Sequence, residues 1–306
     1  MKISTSTYGV TKSYGTEDGM RMLANAGFEA VDLCLHQHLY QWDEGFLRDP
    51  SLPEFGAYFK DLAKTIRSCG LEIRQCHPPY AADNFDIYPQ LLQQDIRAIY
   101  AAGYMEIPFA VIHPVIHPDF SFGQQKERAR QATLDYFSAL LPALKDTGVV
   151  ACIENLCLTD PVTGKEVPNY GTEAEDLCDV IDTLNDMHGP YYGACLDSGH
   201  ALLTGHDPGK LAKALGKRIK VVHLHDNGGT EDDHLIPSQG IINWREFASD
   251  LGRSGYDGTL NFEVAKHFTH FPKDTYSREV FQQACKLLYA IGRSLADIAE
   301  EARRAR

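Results

Sequence analysis

The sequence predicts a closed, parallel (β/α)8 barrel, a TIM barrel, as a single domain over residues 1–306. Three observations carry that prediction. Eight short apolar runs alternate with stretches of helical periodicity, which is the pattern of repeated strand–helix units. The length of 306 residues and a hydrophobic content of 43% suit one large barrel core. No composition shift, linker or low-complexity stretch divides the chain.

The strands are expected at Lys2–Thr7, Phe28–Cys34, Leu71–His77, Phe109–His113, Val149–Glu154, Tyr192–Asp197, Ile219–Leu224 and Thr259–Val264. Between them, Phe55, Phe59, Leu62, Ala63 and Ile66 recur at three- and four-residue steps. Thr133, Phe137, Leu140, Leu141 and Leu144 repeat the pattern, as do Val280, Phe281, Ala284, Leu287, Leu288 and Ile291. Gly70 and Gly148 stand where helix C-caps are needed, and Asn243 with Glu246 reads as an N-cap pair. An open doubly wound sheet is the competing arrangement. It would carry a Gly-rich turn after its first strand, and none follows Lys2–Thr7. Tyr40–Pro53 and Leu156–Gly171 are long for barrel connections, which marks them as functional loops.

Composition bounds the function. No run approaches the roughly 18 apolar residues of a membrane span, and MKISTSTYGV lacks the basic start and apolar block of a signal peptide. Eight cysteines occur without a CxxC pair; Cys76, Cys152 and Cys195 sit in apolar runs as small hydrophobes. The expectation is a reducing cytoplasm without disulfides. A net charge of −13 is unfavourable for holding a polyphosphate backbone, so neither nucleic acid nor membrane is an expected partner. The same charge suits a cation site.

Six of the eight strands finish in a metal-capable or acid/base residue. They are His77 in CHPPY, His113 in VIHP, Glu154 in ACIEN, Asp197 in ACLDSGH, His223 and His225 in VVHLHD, and Glu263 in LNFEV. A single such residue is usually just solvated. A barrel gathers all strand C-termini at one mouth, however, and burying several carboxylates there is costly without a cation. A shared metal site is therefore expected. His223 and His225 are two apart and share a face, so only one need be a primary ligand. Asp197 and His200 converge if the chain turns directly after the strand, and Asp232 and His234 of EDDHLIP can reach the mouth. His117 competes with His113 as a strand end; His36, His38, His188, His206, His267 and His270 read as surface or substrate-loop residues. No GxGxxG follows a strand, GHDPGK lacks phosphate-loop spacing, and no GxSxG elbow occurs.

Taken in order, HPPY, VIHP, CIEN, LDSGH, VHLHDN followed by DDHL, and NFEV resemble the xylose-isomerase-like barrel superfamily over nearly the whole chain. That group includes sugar isomerases and epimerases, inosose dehydratases and the endonuclease IV enzymes. The isomerase and epimerase branch holds one divalent ion, which implies Glu154, Asp197, His223 and Glu263 as ligands here. The endonuclease branch holds three zinc ions, and its ligands have counterparts in His77, His113, Glu154, Asp197, His200, His223, Asp232, His234 and Glu263. One departure is Ser238-Gln239-Gly240, where many relatives have Gly-x-Gly.

The resemblance implies a metal-dependent isomerase or epimerase of a small carbohydrate. It would work through an enediolate with Glu154 and Glu263 as acid/base pair. His77, His113, His200, His225, Asp232 and His234 would bind substrate or additional metal. A lyase or dehydratase acting on a keto-sugar, inosose or C-glycoside is the alternative, followed by a trinuclear zinc phosphodiesterase. Mixed carboxylate and imidazole ligation favours manganese, with cobalt, iron, magnesium or zinc as the other choices. A homo-oligomer, dimer or tetramer, completes the expectation.

Overall fold

In every apolar run, alternate side chains face opposite sides of the strand, and this period-two rule builds the molecule. The computed structural model describes residues 1–39, 45–79, 88–115, 125–160 and 162–306. Its strands are β1 (Ile3–Ser6), β2 (Ala30–Cys34), β3 (Glu72–His77), β4 (Phe109–Ile112), β5 (Val150–Glu154), β6 (Cys157–Thr159), β7 (Glu166–Pro168), β8 (Tyr192–Asp197), β9 (Ile219–His223) and β10 (Leu260–Phe262). All eight expected strands form within two residues of their expected ends. Their order is β10-β1-β2-β3-β4-β5-β8-β9, every pair is parallel, and a parallel bridge from Leu224 to Phe262 joins the two edges. The sheet is a closed (β/α)8 barrel.

One set of each strand's side chains packs outward against the helices. Ile3, Val31, Leu33, Cys76, Ala151, Ile153, Ala194, Leu196, Val222, Leu260 and Phe262 join Phe55, Phe59, Phe137 and Phe281 of the helical layer in one buried cluster. The other set points to the barrel axis. Val111, Cys152, Cys195 and Val221 form a small apolar plug there. All eight cysteines are free, and the two in the plug act as compact hydrophobes. One strand step towards the mouth from that plug, the inward positions turn polar.

The helices match their sequence signals. Pro53–Ser68, Lys126–Thr147 and Arg278–Arg304 carry the three periodic patterns. Gly148 caps the second in the left-handed conformation (φ 74°), and Gly70 lies just past the end of the first with φ 87°. The Asn243 side chain accepts the Glu246 N–H at 3.3 Å, opening Trp244–Ser254. The connection Leu156–Gly171, expected only as a long functional loop, contains the β6–β7 antiparallel hairpin. Its strands are only three residues long, too short for an alternation to register. Residues 40–44 of the other long connection lie outside the described residues, as does His117. His267 corrects one expectation: it is buried, with Nε2 3.1 Å from the Ala284 carbonyl, and is neither a surface nor a loop residue. Among the described residues no helix is long and apolar enough to cross a membrane.

Close helix packing depends on Gly252. A Cβ there would press into the backbone carbonyl of Ala299 on Arg278–Arg304. Backbone cannot step aside as a side chain can, so Gly252→Ala is expected to cost about 1–3 kcal/mol. Thermal melting should show a Tm drop of several degrees with an unchanged far-UV CD spectrum.

Candidate metal centre

The inward parity delivers the site. Cys152 and Glu154 of β5, Cys195 and Asp197 of β8, and Val221 and His223 of β9 are successive inward positions, with the second of each pair nearer the mouth. His113, His225 and Glu263 continue the same parity just past β4, β9 and β10. Glu154, Asp197, His223 and His225 are fully buried.

Local sequence then sets each side chain. Asn155 ties β5 to β8: its amide donates to the Asp197 carbonyl at 2.9 Å and its side-chain carbonyl accepts the Asp197 N–H at 2.8 Å. The chain does turn straight after β8, because Asp197 caps the helix Ser198–Leu203 by accepting the His200 N–H at 2.7 Å. Ser198 Oγ donates to the His225 carbonyl at 2.8 Å and accepts the His225 N–H at 3.0 Å. Gly199 is required because the His225 imidazole lies where its Cβ would be. Each residue of the DSGH motif thus has a separate mechanical duty.

The loop carrying Asp232 and His234 is folded around Asp226, a buried carboxylate that the sequence reading did not single out. Its two oxygens accept N–H groups from Asn227 (3.0 Å), Ile242 (3.1 Å) and Ser238 (3.0 Å), and the Trp244 indole N–H at 2.7 Å. Ser238 adopts φ 75°, so the departure from Gly-x-Gly preserves the left-handed turn at the cost of a strained serine. His234 has φ 48°, and its Nδ1 lies 2.8 Å from the Glu263 carbonyl. That carbonyl can only accept, so Nδ1 carries the proton and Nε2 faces Asp232 Oδ2 at 2.8 Å.

Glu154 is the node of the assembly. Its Oε1 lies 2.9 Å from His223 Nδ1 and 3.6 Å from His200 Nδ1; its Oε2 lies 3.2 Å from His113 Nε2 and 3.8 Å from His77 Nε2. His223 Nδ1 is also 3.1 Å from Glu263 Oε2. His200 Nδ1 lies 3.5 Å from Asp197 Oδ1, and His200 Nε2 lies 3.6 Å from Asp232 Oδ2. His225 Nε2 sits 3.0 Å from Asp197 Oδ1, and its ring stacks on His234 at 4.1 Å between centroids.

These spacings fit a cation. Ligand atoms about 2.1 Å from a tetrahedral ion stand about 3.4 Å from one another. Glu154, Asp197, His223 and Glu263 each offer an atom within 4.8 Å of the others, as do His77 with His113 and Glu154, and His200 with His225, Asp232 and His234. Among the described residues, the buried atoms Glu154 Oε2, His200 Nδ1, His225 Nδ1 and Asp232 Oδ1 have no hydrogen-bond partner. The four ligands expected for one ion are therefore together, and the six residues assigned to substrate or further metal surround them. The sequence reading missed Asp32, whose Oδ2 lies 3.1 Å from His223 Nε2 behind the site. Its signal was a lone charge inside the apolar run AVDLC.

Burial pushes the Glu154 carboxyl up, but the His223 charge and the imidazoles of His113, His223 and His77 around its oxygens outweigh it and hold the group well below the usual carboxylate range. Glu263 is held down against burial by the His223 charge, and Asp232 by His200 at 3.6 Å and the hydrogen bond from His234. Burial lowers the His113 imidazole, but others move up. Burial opposes it, yet neighbouring negative charge raises His200 and His223 well above the ordinary range; the Asp232 hydrogen bond raises His234 to about 9.

The mouth of the barrel is lined by convergent carboxylates and imidazoles that could hold a metal ion. The family model described as the xylose isomerase-like TIM barrel matches residues 20–292, and the chain belongs to that family. Fructoselysine 3-epimerase of Escherichia coli O157:H7 is 30% identical over 74 residues, 24% of this chain and 26% of that one. The matches span between 24% and 62% of the curated relatives' own lengths. The crystal structure of a D-tagatose 3-epimerase-like protein superposes with a TM-score of 0.65 at 21% identity, covering 95% of this chain and 99% of that one. The crystal structure of IolI with a bound zinc atom superposes at 0.66 with 15% identity, covering 98% and 99%.

Two outcomes test the site. Ser238→Gly is expected to leave stability unchanged or raise it by up to about 1 kcal/mol, while Ser238→Val lowers it, because a β-branched residue is strained in the left-handed region. Denaturant unfolding reads both. The second concerns pH. A raised imidazole contributes stability that is complete below about 6.5 and lost as pH climbs through its folded value, about 9 for His234. Metal-free protein should therefore melt at falling temperature from pH 6.5 to 9. Added Mn²⁺ should raise Tm by more at the alkaline end, since protons no longer compete for the imidazoles.

Proposed function

We propose that the protein is a divalent-metal-dependent isomerase or epimerase of a small sugar or sugar derivative. The observation that carries this reading is the convergence of Glu154, Asp197, His223 and Glu263, with ligand atoms within 4.8 Å, at the mouth of a family barrel. The epimerases among the similar proteins support the reaction class, and the mixed donor set supports manganese as the cation. The free cysteines support a reducing compartment, the cytoplasm.

The four residues would hold the ion, and when bound it supplies a Lewis acid for a carbonyl and its neighbouring hydroxyl. The protein's own groups then divide the work. The Glu263 side chain is 21% exposed, against 1% for Glu154, so Glu263 is the carboxylate with access to a bound ketose. Held ionised, it takes the proton α to the carbonyl. Glu154, itself ionised, returns to the opposite face a proton drawn from the His200 imidazolium 3.6 Å from its Oε1, and His200 is left neutral until it takes up a proton again. His77 and His200, facing Glu154 at 3.8 and 3.6 Å, are placed to orient hydroxyls.

A second reading is favoured by one observation, the additional groups formed by His77, His113 and Glu154 and by His200, His225, Asp232 and His234. Three ions there would suit phosphodiester hydrolysis. Anomalous scattering and metal analysis separate the readings: one ion per chain supports the sugar enzyme, three the phosphoesterase.

Glu263→Gln is expected to keep most metal affinity, since glutamine retains a coordinating oxygen, and to lose about 10²–10⁴-fold in turnover. NMR in D₂O with a panel of ketohexoses, D-tagatose among them, follows solvent exchange at the α-carbon. Loss of exchange in Glu263→Gln, and exchange without inversion in Glu154→Gln, are the expected results. Near-normal turnover by both variants would remove the acid/base roles.

A further inference from the structure

We propose that Asp32 is a positioning residue of the metal centre: it accepts the Nε2 proton of His223 and so presents Nδ1 as the ligand atom. The inference rests on the metal reading above and concerns which nitrogen of His223 this chain offers to an ion.

Asp32 sits on β2 with 1% exposure, behind His223 and away from the open mouth. Its Oδ2 collects three donors: Gln75 Nε2 at 3.1 Å, Asn261 Nδ2 at 3.0 Å and His223 Nε2 at 3.1 Å. Oδ1 is buried and has no hydrogen-bond partner among the described residues. Asn261 is itself fixed, accepting the Ser4 hydroxyl at 2.8 Å. Side chains from five strands, β1, β2, β3, β9 and β10, thus hold one carboxylate oxygen against one imidazole nitrogen. A buried carboxylate that merely filled space would be replaced favourably by an apolar residue of similar volume. This one is directed at a single functional neighbour.

The direction matters because of what faces the other nitrogen. His223 Nδ1 lies 2.9 Å from Glu154 Oε1 and 3.1 Å from Glu263 Oε2, both acceptors. With carboxylate oxygens facing both nitrogens, the ring carries Nδ1–H toward the glutamates and Nε2–H toward Asp32 while no cation is bound. Nδ1–H cannot bind a cation, so a proton must leave when an ion enters. With Asp32 behind the ring, Nε2 keeps its proton, and Nδ1, which faces the site, gives its proton up. His77, stacked on His223 at 5.6 Å and 19° between planes, keeps the ring in that orientation. Partners of this kind behind a metal-binding histidine typically contribute 10–100-fold in affinity.

The test compares Mn²⁺ binding by calorimetry in the full chain, Asp32→Asn and Ser4→Ala. Asparagine keeps the shape and removes the charge. Ser4→Ala breaks the outer bond of the same network without touching His223. Asp32→Asn should weaken Mn²⁺ about 10–100-fold with its metal-free melting curve retained, while Ser4→Ala stays within about twofold of the parent. Equal binding by parent and Asp32→Asn, or an equal loss in both variants, overturns the proposal. If Asp32→Asn fails to fold, ¹⁵N-histidine NMR of the parent decides: Nε2–H with cadmium bound through Nδ1 is the expected signature, and cadmium bound through Nε2 overturns it. A parent chain that binds no divalent ion removes the metal reading itself, and the role of Asp32 with it.

Discussion

Glu154 is the point on which the site depends. It is a carboxylate with no solvent exposure, at the inner end of a closed barrel, with four imidazole nitrogens between 2.9 and 3.8 Å from its two oxygens. An ionised group cannot sit there without compensation. The compensation comes from histidines on four different segments, His77, His113, His200 and His223, and the same crowding makes the cluster a candidate cation site. Remove the barrel closure and these segments lose the common axis that brings them together.

Around that node the chain uses rigid, fully bonded polar fittings in place of apolar packing. Asn155 locks β5 to β8, Ser198 links β8 to the segment after β9, and Asp226 gathers the loop that presents Asp232 and His234. Each fixes the position of a residue that lines the candidate site. The strain in the centre lies where such fixing is needed, at Ser238 and His234 with positive φ.

The architecture also explains the division between the two buried clusters. Helices press on the outward side chains, and a four-residue apolar plug seals the axis below the site. Glu154, Asp197, His223 and His225 above the plug are buried. Charge interactions are strong there, which accounts for Glu154 and Glu263 held low and His200 and His223 held high.

The strand positions, the barrel and most of the metal-capable residues were readable from the chain itself. Alternation and strand-end placement are local properties: Glu154, Asp197, His223 and Glu263 lie at the same phase of four strands, and parallel closure leaves them only one place to meet. Asp32 and Asp226 were not readable in the same way. A lone aspartate in an apolar run, or in HDN, has the same local sequence whether it is solvated or buried beneath a ligand. Their partners, His223 for one and Ser238, Ile242 and Trp244 for the other, lie 191 residues away and between 12 and 18 residues away. The grouping of His200, His225, Asp232 and His234 was likewise decided only in three dimensions. It needs the turn at Ser198, the Cβ-free space at Gly199 and a left-handed His234 at once, and no periodicity in the chain encodes that conjunction.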